Sequence, residues 1–321
     1  MLGSKLIPVV VFVFSATVVM ANVGNGQQSV GELMEELSNW GRWGEEDQLG
    51  TLNLITPQKR KEAASLVRKG ISVSMARPIM LEKAPDNDSP LEHNMVLLPD
   101  ETNAWAVDSF TMLFHGLSHS HIDALCHLSH EGKYYNGAAI ADVNANGCSA
   151  VGIDNLGTGI LTRGVLMDIP RLKGKPWLEP GEAVYVEDLE AWEKMAGIKV
   201  TSGDAVILNT GRWARREAKG AWAGDFSGLH YTTVKWLRER DVAVVGTDAG
   251  LDVFPSGIES DGAPTHRLVL VALGMPVLDT MDLTAVSLTA NELKQWTFML
   301  SAAPLRIPGG TGSPINAIAT F

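Results

Sequence analysis

The chain has 321 residues, 45% of them apolar and 20% charged, which is ordinary globular composition with enough apolar side chain for a sizeable core. A formal net charge of −11, with no basic run, argues against nucleic acid, because phosphate binding needs clustered Lys and Arg. Neither a Walker-type nor a dinucleotide glycine motif is present.

The first element in chain order is a leader. After Lys5 runs the apolar stretch "LIPVVVFVFSATVVMA", closed by Val19, Met20 and Ala21 and followed by polar residues. This reads as a secretory signal peptide over residues 1–21, with an uncleaved anchor as the alternative. The expectation is a secreted or periplasmic protein, 22–321 forming one domain, with no stable membrane insertion after cleavage. Residues 28–55 read as an N-terminal arm carrying Trp40 and Trp43. A helix follows, capped by Thr56, with Pro57 in its first turn and Gly70 past its end. The run "ISVSMARPI" alternates like a strand, and Glu82 to Asn103 reads as a loop rich in Pro, Asp and Asn.

Further strands are expected at Phe110 to His115, Arg163 to Ile169, Asp204 to Asn209, Val242 to Thr247 and Phe298 to Ile307. Helices are expected near Val186 to Met195 and Tyr231 to Arg240. Without a regular βαβ rhythm, the pattern favours a single α/β domain whose sheet is mixed and largely antiparallel. Cys126 and Cys148 are the two cysteines. Spacing alone cannot establish a bridge, and a buried free thiol is the preferred reading.

The chemistry concentrates in "FHGLSHSHIDALCHLSHEGKYYNG", which holds five of the eight histidines. Residues two apart share a face of an extended chain, so His119, His121 and Asp123 form one edge, a ligand set for zinc or manganese. His115 lies further back on that row. His127 follows an expected turn and could act as general base on a metal-activated water. His130 is expected to be solvated. Any one of these histidines is more simply a hydrogen-bonded core or surface group, but the set is costly to bury without a role. Trp43 and Trp105 are candidates to line an apolar substrate pocket, with His115 a further substrate-binding candidate.

These residues resemble the cyclase family of metal-dependent hydrolases, which includes bacterial kynurenine formamidases and isatin hydrolases. The family signature H-x-G-T-H-x-D-x-P-x-H aligns its last elements with Ser120, His121, Asp123 and His127. The segments "RWGEEDQLGTLNLITP", "GDAVILNTGRWARR", "VAVVGTDAGLDV", "THRLVLVALGMPVLDTMDL" and "APLRIPGGTGSPINAIA" look like its longer-chain branch. The resemblance implies a cyclase-like swivelling β/β/α fold, one or two divalent metal ions (Mn or Zn), and a homodimer or larger assembly, with the tryptophan-bearing arm a candidate for exchange between subunits.

It also implies a further ligand histidine at His266 and a ligand carboxylate at Asp279. The departures are Leu117, where the family has its first ligand histidine, and Leu125, where it has proline. His119 is the expected substitute ligand, with His115 the weaker one. Asp248 in "GTDAG" would orient a ligand histidine or simply cap a strand end. The run "RIPGGTGSP" reads as a tight turn near the site.

The expected activity is hydrolysis of a small amide, cyclic amide, or lactone or ester, acting on C–N bonds other than peptide bonds. A cyclase, lyase or isomerase using the same metal and His127 is one alternative. A secreted metal-binding or small-molecule-binding protein without catalysis is the other.

Overall fold

The computed structural model describes residues 28–321 apart from Glu101 and Ser260; the expected leader at 1–21 lies outside the described residues. The centre is a nine-stranded sheet. From edge to edge its strands are Ser72–Ser74, Ile318–Thr320, Thr297–Ala302, Ile160–Asp168, Ala205–Asn209, Val244–Thr247, Val277–Asp279, His121–Asp123 and Gly312–Pro314. The four strands from Ile160–Asp168 to Val277–Asp279 run parallel, and the five pairings outside them are antiparallel.

The parallel strands explain the continuous apolar runs. Ala205–Asn209 and Val244–Thr247 are buried at every position, as central strands of a parallel array covered on both faces are. Toward the outer strands the pattern changes, and Thr297–Ala302 alternates buried with half-buried residues. The helix Val186–Ala196 is pinned where Trp192 Nε1 donates to the Leu166 carbonyl at 2.7 Å. The sheet is mixed, as expected for this α/β domain. The parallel centre escaped the sequence because several crossovers contain long irregular stretches.

Several boundaries moved. Thr56 caps the helix Pro57–Ala64, its hydroxyl accepting from Lys59 N. The helix stops well before Gly70, because the amides of Lys69, Gly70 and Ile71 turn to the carbonyl of the last residue, Phe321. The stretch expected to be a loop from Glu82 contains the strand Glu92–Pro99, paired along its length with Ala104–Thr111 in an exposed hairpin. The strand expected from Phe110 to His115 therefore ends at Thr111, and the chain turns before the histidines.

The N-terminal arm is engaged by its own chain. After the helix Val30–Glu36, Asn39 N donates to the Ala272 carbonyl and Trp40 Nε1 to that of Val271 at 2.7 Å, strapping the arm over the buried π-helical turn Leu268–Leu273. Cys126 and Cys148 are joined in a disulfide, which corrects the free-thiol reading. The short hairpin Val143–Asn144 and Gly147–Cys148 folds back, with Cys148 N bonded to the Gly309 carbonyl, and brings the two Cα atoms to 6.5 Å. Among the described residues, no helix is long and apolar enough to cross a membrane.

Candidate metal centre

Strand register assembles the site. His121 and Asp123, two apart on a three-residue strand, share a face. The neighbouring strand Val277–Asp279 pairs antiparallel so that Asp279 sits directly opposite His121. Gly312–Pro314 closes the other side, with Gly312 opposite Asp123. His266 enters from the short helix Pro264–Arg267, with its Nε2 2.9 Å from Asp279 Oδ2 and 3.7 Å from Asp123 Oδ2.

Two histidines are oriented by the same device. His121 Nδ1 donates to the His119 carbonyl at 2.8 Å, leaving Nε2 facing Asp123 at 3.3 Å. His266 Nδ1 donates to Asp252 Oδ2 at 2.6 Å, leaving Nε2 for the cluster. Occupying one ring nitrogen with a hydrogen-bond acceptor fixes the tautomer and aims the other nitrogen at a metal.

Three carboxylates, Asp123, Asp252 and Asp279, are buried here, and among the described residues their ion-pair partners are all histidines. Isolated buried carboxylates are costly, so the cluster demands positive charge. The titration behaviour expresses that demand. Burial disfavours a charged ring at His121, yet Asp123 and Asp279 carry its pKa above the ordinary value. Burial opposes the charge on His266 too, but Asp279 and Asp252 outweigh it and hold the ring well above the usual range. Burial alone would raise Asp123; His121 and His115 hold it well below the usual carboxylate range.

A divalent cation suits this donor set. The candidate ligand atoms of His121, Asp123 and Asp279 lie within 4.8 Å of one another, as do those of His115, Asp123 and His127. Asp123 Oδ1, Asp279 Oδ1 and His115 Nδ1 are buried without a hydrogen-bond partner, although His115 Nδ1 is only 2.9 Å from Asp123 Oδ1. Such crowded, unsatisfied donors are what a cation would satisfy, and imidazole with carboxylate suits zinc or manganese.

His127 follows a turn, its amide bonded to the Ala124 carbonyl, and its ring stacks on His115 at 3.9 Å. Burial pushes its pKa down to about 4, so the ring is uncharged at neutral pH. His115 is held from outside by Thr311 Oγ1 at 3.0 Å. The expected turn at "RIPGGTGSP" is therefore part of the site. At Gly312 a Cβ would lie 2.4 Å from the Ile122 carbonyl oxygen and 2.9 Å from His115 Cε1, so only glycine leaves room for that ring. A cavity of about 220 Å³ opens over the cluster, walled by Leu117, Leu128, Phe226 and Ala263.

Other expected site residues lie elsewhere. His119 is buried with its ring turned away, Nε2 donating to the Ser89 carbonyl, and burial pushes its pKa down. The face-sharing rule does not reach it, because residues before His121 are in a turn rather than a strand. The His119 contribution is its backbone carbonyl. Trp43 lies half-buried under the Arg42 guanidinium, and Trp105 is 72% exposed on the hairpin; neither borders the cavity. Asp248 orients no histidine. It caps the strand end, accepting from the amides of Thr210, Gly211 and Arg212, and burial pushes its carboxyl up to about 6 against those donors.

The residue that holds His266 is Asp252, which the sequence reading missed. It lay in the quoted segment "VAVVGTDAGLDV", four residues past the aspartate singled out there.

The sequence matches the family described as "Putative cyclase" over residues 59–251, well over half of the chain. A solved structure described as a novel cyclase is 30% identical and superposes with a TM-score of 0.81, covering 90% of this chain and 99% of that one. Isatin hydrolase A from Ralstonia solanacearum has the same fold at 20% identity, with a TM-score of 0.54, over 80% of this chain and 93% of its own. An isatin hydrolase bound to the product analogue thioisatinate gives 20% identity and 0.55, over 81% and 94%. No protein of curated function matches the sequence. By the family pattern and by likeness to the novel cyclase across nine-tenths of its length, the chain belongs to the cyclase family.

Proposed function

We propose that this protein is an exported, metal-dependent hydrolase of a small amide, cyclic amide, or lactone or ester. The observation that carries the reading is the convergence of His121, His266, Asp123 and Asp279 beneath a small cavity, with the uncharged His127 beside them. A divalent cation bound there, Mn or Zn, would supply Lewis acidity to a substrate carbonyl and to water.

The chain's own residues supply the rest. His121 and His266 present Nε2, each fixed through its Nδ1, and Asp123 and Asp279 present carboxylate oxygens. His127 accepts a proton from the attacking water at a ring nitrogen and returns it to the leaving nitrogen or oxygen. Leu117, Leu128 and Phe226 keep bulk water out and favour a flat, apolar substrate body. The cavity lies below the roughly 300–1,000 Å³ of typical ligand pockets, which supports a small substrate. Isatin hydrolases share the fold, and hydrolysis of an aromatic cyclic amide or formamide fits this site chemistry.

The Cys126–Cys148 disulfide supports export, since such bonds persist in oxidising compartments. The test is turnover by the purified protein, loaded with Mn or Zn, of formamides, imides, lactams and lactones in isotope-labelled water. Incorporation of solvent oxygen is the expected result. Turnover without incorporation would mean a cyclase, lyase or isomerase. Metal binding with no turnover across the panel would leave a binding protein.

A further inference from the structure

Between Asp123 and His127 the chain makes a tight turn, closed where the His127 amide donates to the Ala124 carbonyl at 3.0 Å. No proline stiffens it, since its central residues are Leu125 and Cys126. The His127 ring is stacked on His115, and no side chain among the described residues hydrogen-bonds it. Its direction is therefore set by that stack and by the backbone beneath it.

The disulfide braces both. On one side, the Ala124 amide donates to the Thr311 carbonyl at 2.9 Å, and the Cys126 sulfur lies 3.8 Å from the Gly310 carbonyl oxygen. On the other, Cys148 N donates to the Gly309 carbonyl at 2.8 Å. Gly147 approaches so closely that a Cβ there would lie 2.6 Å from the same oxygen. Residues 309–311 thus contact both segments that the disulfide joins. Thr311 in turn holds His115 Nε2, so the cross-link reaches each member of the stacked pair. The other groups of the centre are held from elsewhere. His121 is fixed by the His119 carbonyl, His266 by Asp252, and Asp279 by its own strand.

We propose that the Cys126–Cys148 disulfide is a positioning clamp for His127, so that the chain gains full turnover only once this bond has formed in an oxidising compartment. The inference rests on the hydrolase reading above, in which His127 moves the proton. The bond forms by thiol–disulfide exchange. Two thiols of this chain give up two protons and two electrons, and a disulfide of an oxidoreductase or of oxidised glutathione becomes two thiols. Both cysteines are buried in the folded chain, which denies small thiols access to the finished bond. It therefore works as a single activation at export rather than as a reversible switch. A displacement near 1 Å at a catalytic group costs on the order of a hundredfold in rate, so a small loosening of the turn is enough.

The test compares the oxidised, metal-loaded wild type with wild type made and kept reduced, and with Cys148→Ser, which leaves Cys126 in place beside His127. Leu189→Ala, a core change in the helix Val186–Ala196, supplies a destabilised control outside the site. Without the bond, metal stoichiometry should be unchanged and KM within about threefold, while kcat falls about 10–100-fold. Oxidised glutathione should restore kcat to the reduced wild type but not to Cys148→Ser. Leu189→Ala should lose melting temperature and keep its kcat. Amides of residues 124–128 and 309–312 should exchange about tenfold faster or more without the bond, with the parallel strands unchanged. Unchanged kcat, an equal fall in Leu189→Ala, or metal lost together with turnover would overturn the proposal. So would a chain unable to fold without the bond, which would then serve the fold. If no form turns over any substrate, the hydrolase reading fails and exchange alone decides. Faster exchange confined to those two segments sustains the clamp, and exchange that is uniform or unaltered overturns it.

Discussion

Replacing Asp252 by Asn isolates the positioning of His266. The Asp252 carboxylate receives the His266 Nδ1 proton at 2.6 Å, the His266 amide at 3.2 Å and the Thr265 amide at 2.5 Å. Both of its oxygens therefore face donors. An asparagine must turn its NH₂ group toward one side, setting donor against donor in a buried position. An unmade buried hydrogen bond of this kind costs about 1–3 kcal/mol. Loss of the partner that orients a ligand histidine typically costs about 10–100-fold in metal affinity, which is about 1.4–2.8 kcal/mol and agrees with the first figure.

The assay is a competitive titration of zinc or manganese against a chromogenic chelator, with thermal unfolding followed alongside. D252N should bind metal about 10–100-fold more weakly. Turnover should return as metal is raised, because His127 and the apolar walls Leu117, Leu128 and Phe226 are untouched. Affinity within twofold of wild type would refute the idea that Asp252 positions His266. A collapsed melting temperature, unrelieved by saturating metal, would mean that Asp252 serves the fold instead.

His119→Ala should leave metal stoichiometry unchanged while His121→Ala abolishes tight binding; elemental analysis after dialysis distinguishes them, and equal losses would contradict the turned-away ring. Because burial holds His127 near 4, kcat of the metal-saturated enzyme should persist as pH falls below the ordinary imidazole pKa of about 6.5, declining only as the ring takes up a proton. A pH profile that breaks at the ordinary value would contradict that. Cys126→Ser with Cys148→Ser opens a loop of sequence separation 22 and should cost about 3 kcal/mol in denaturant unfolding.

Legibility in the sequence followed the range of each interaction. His121 and Asp123 could be paired on paper because their relation is local, two residues on one strand. His119 misled for the same reason, since periodicity says nothing about where extended backbone gives way to a turn. The link from His266 to Asp252 runs between a loop and a helix start, so no periodicity reports it. The disulfide depends on a small hairpin returning Cys148 to Cys126, and spacing could not supply that.

In the hairpin, Pro, Asp and Asn at the ends of Glu82–Asn103 hid a continuous apolar run, "MVLLP", whose partner lay just beyond. Burial of the central strands was the easiest feature to read, because a strand buried on both faces leaves an uninterrupted apolar string.

The groups around the candidate metal centre are far apart in the chain: His121 and Asp123 come before the first parallel strand, His266 and Asp279 roughly 150 residues later. A cation held between them would act as a removable cross-link, closing a loop that encloses most of the parallel sheet. Closing a loop of that length takes much conformational freedom from the unfolded chain, as a long-range disulfide does. Metal supply would then govern how long the molecule survives heat or proteases as well as how fast it turns over. Chelation should first free the sheet margin formed by His121–Asp123 and Gly312–Pro314, while the parallel strands stay closed to exchange.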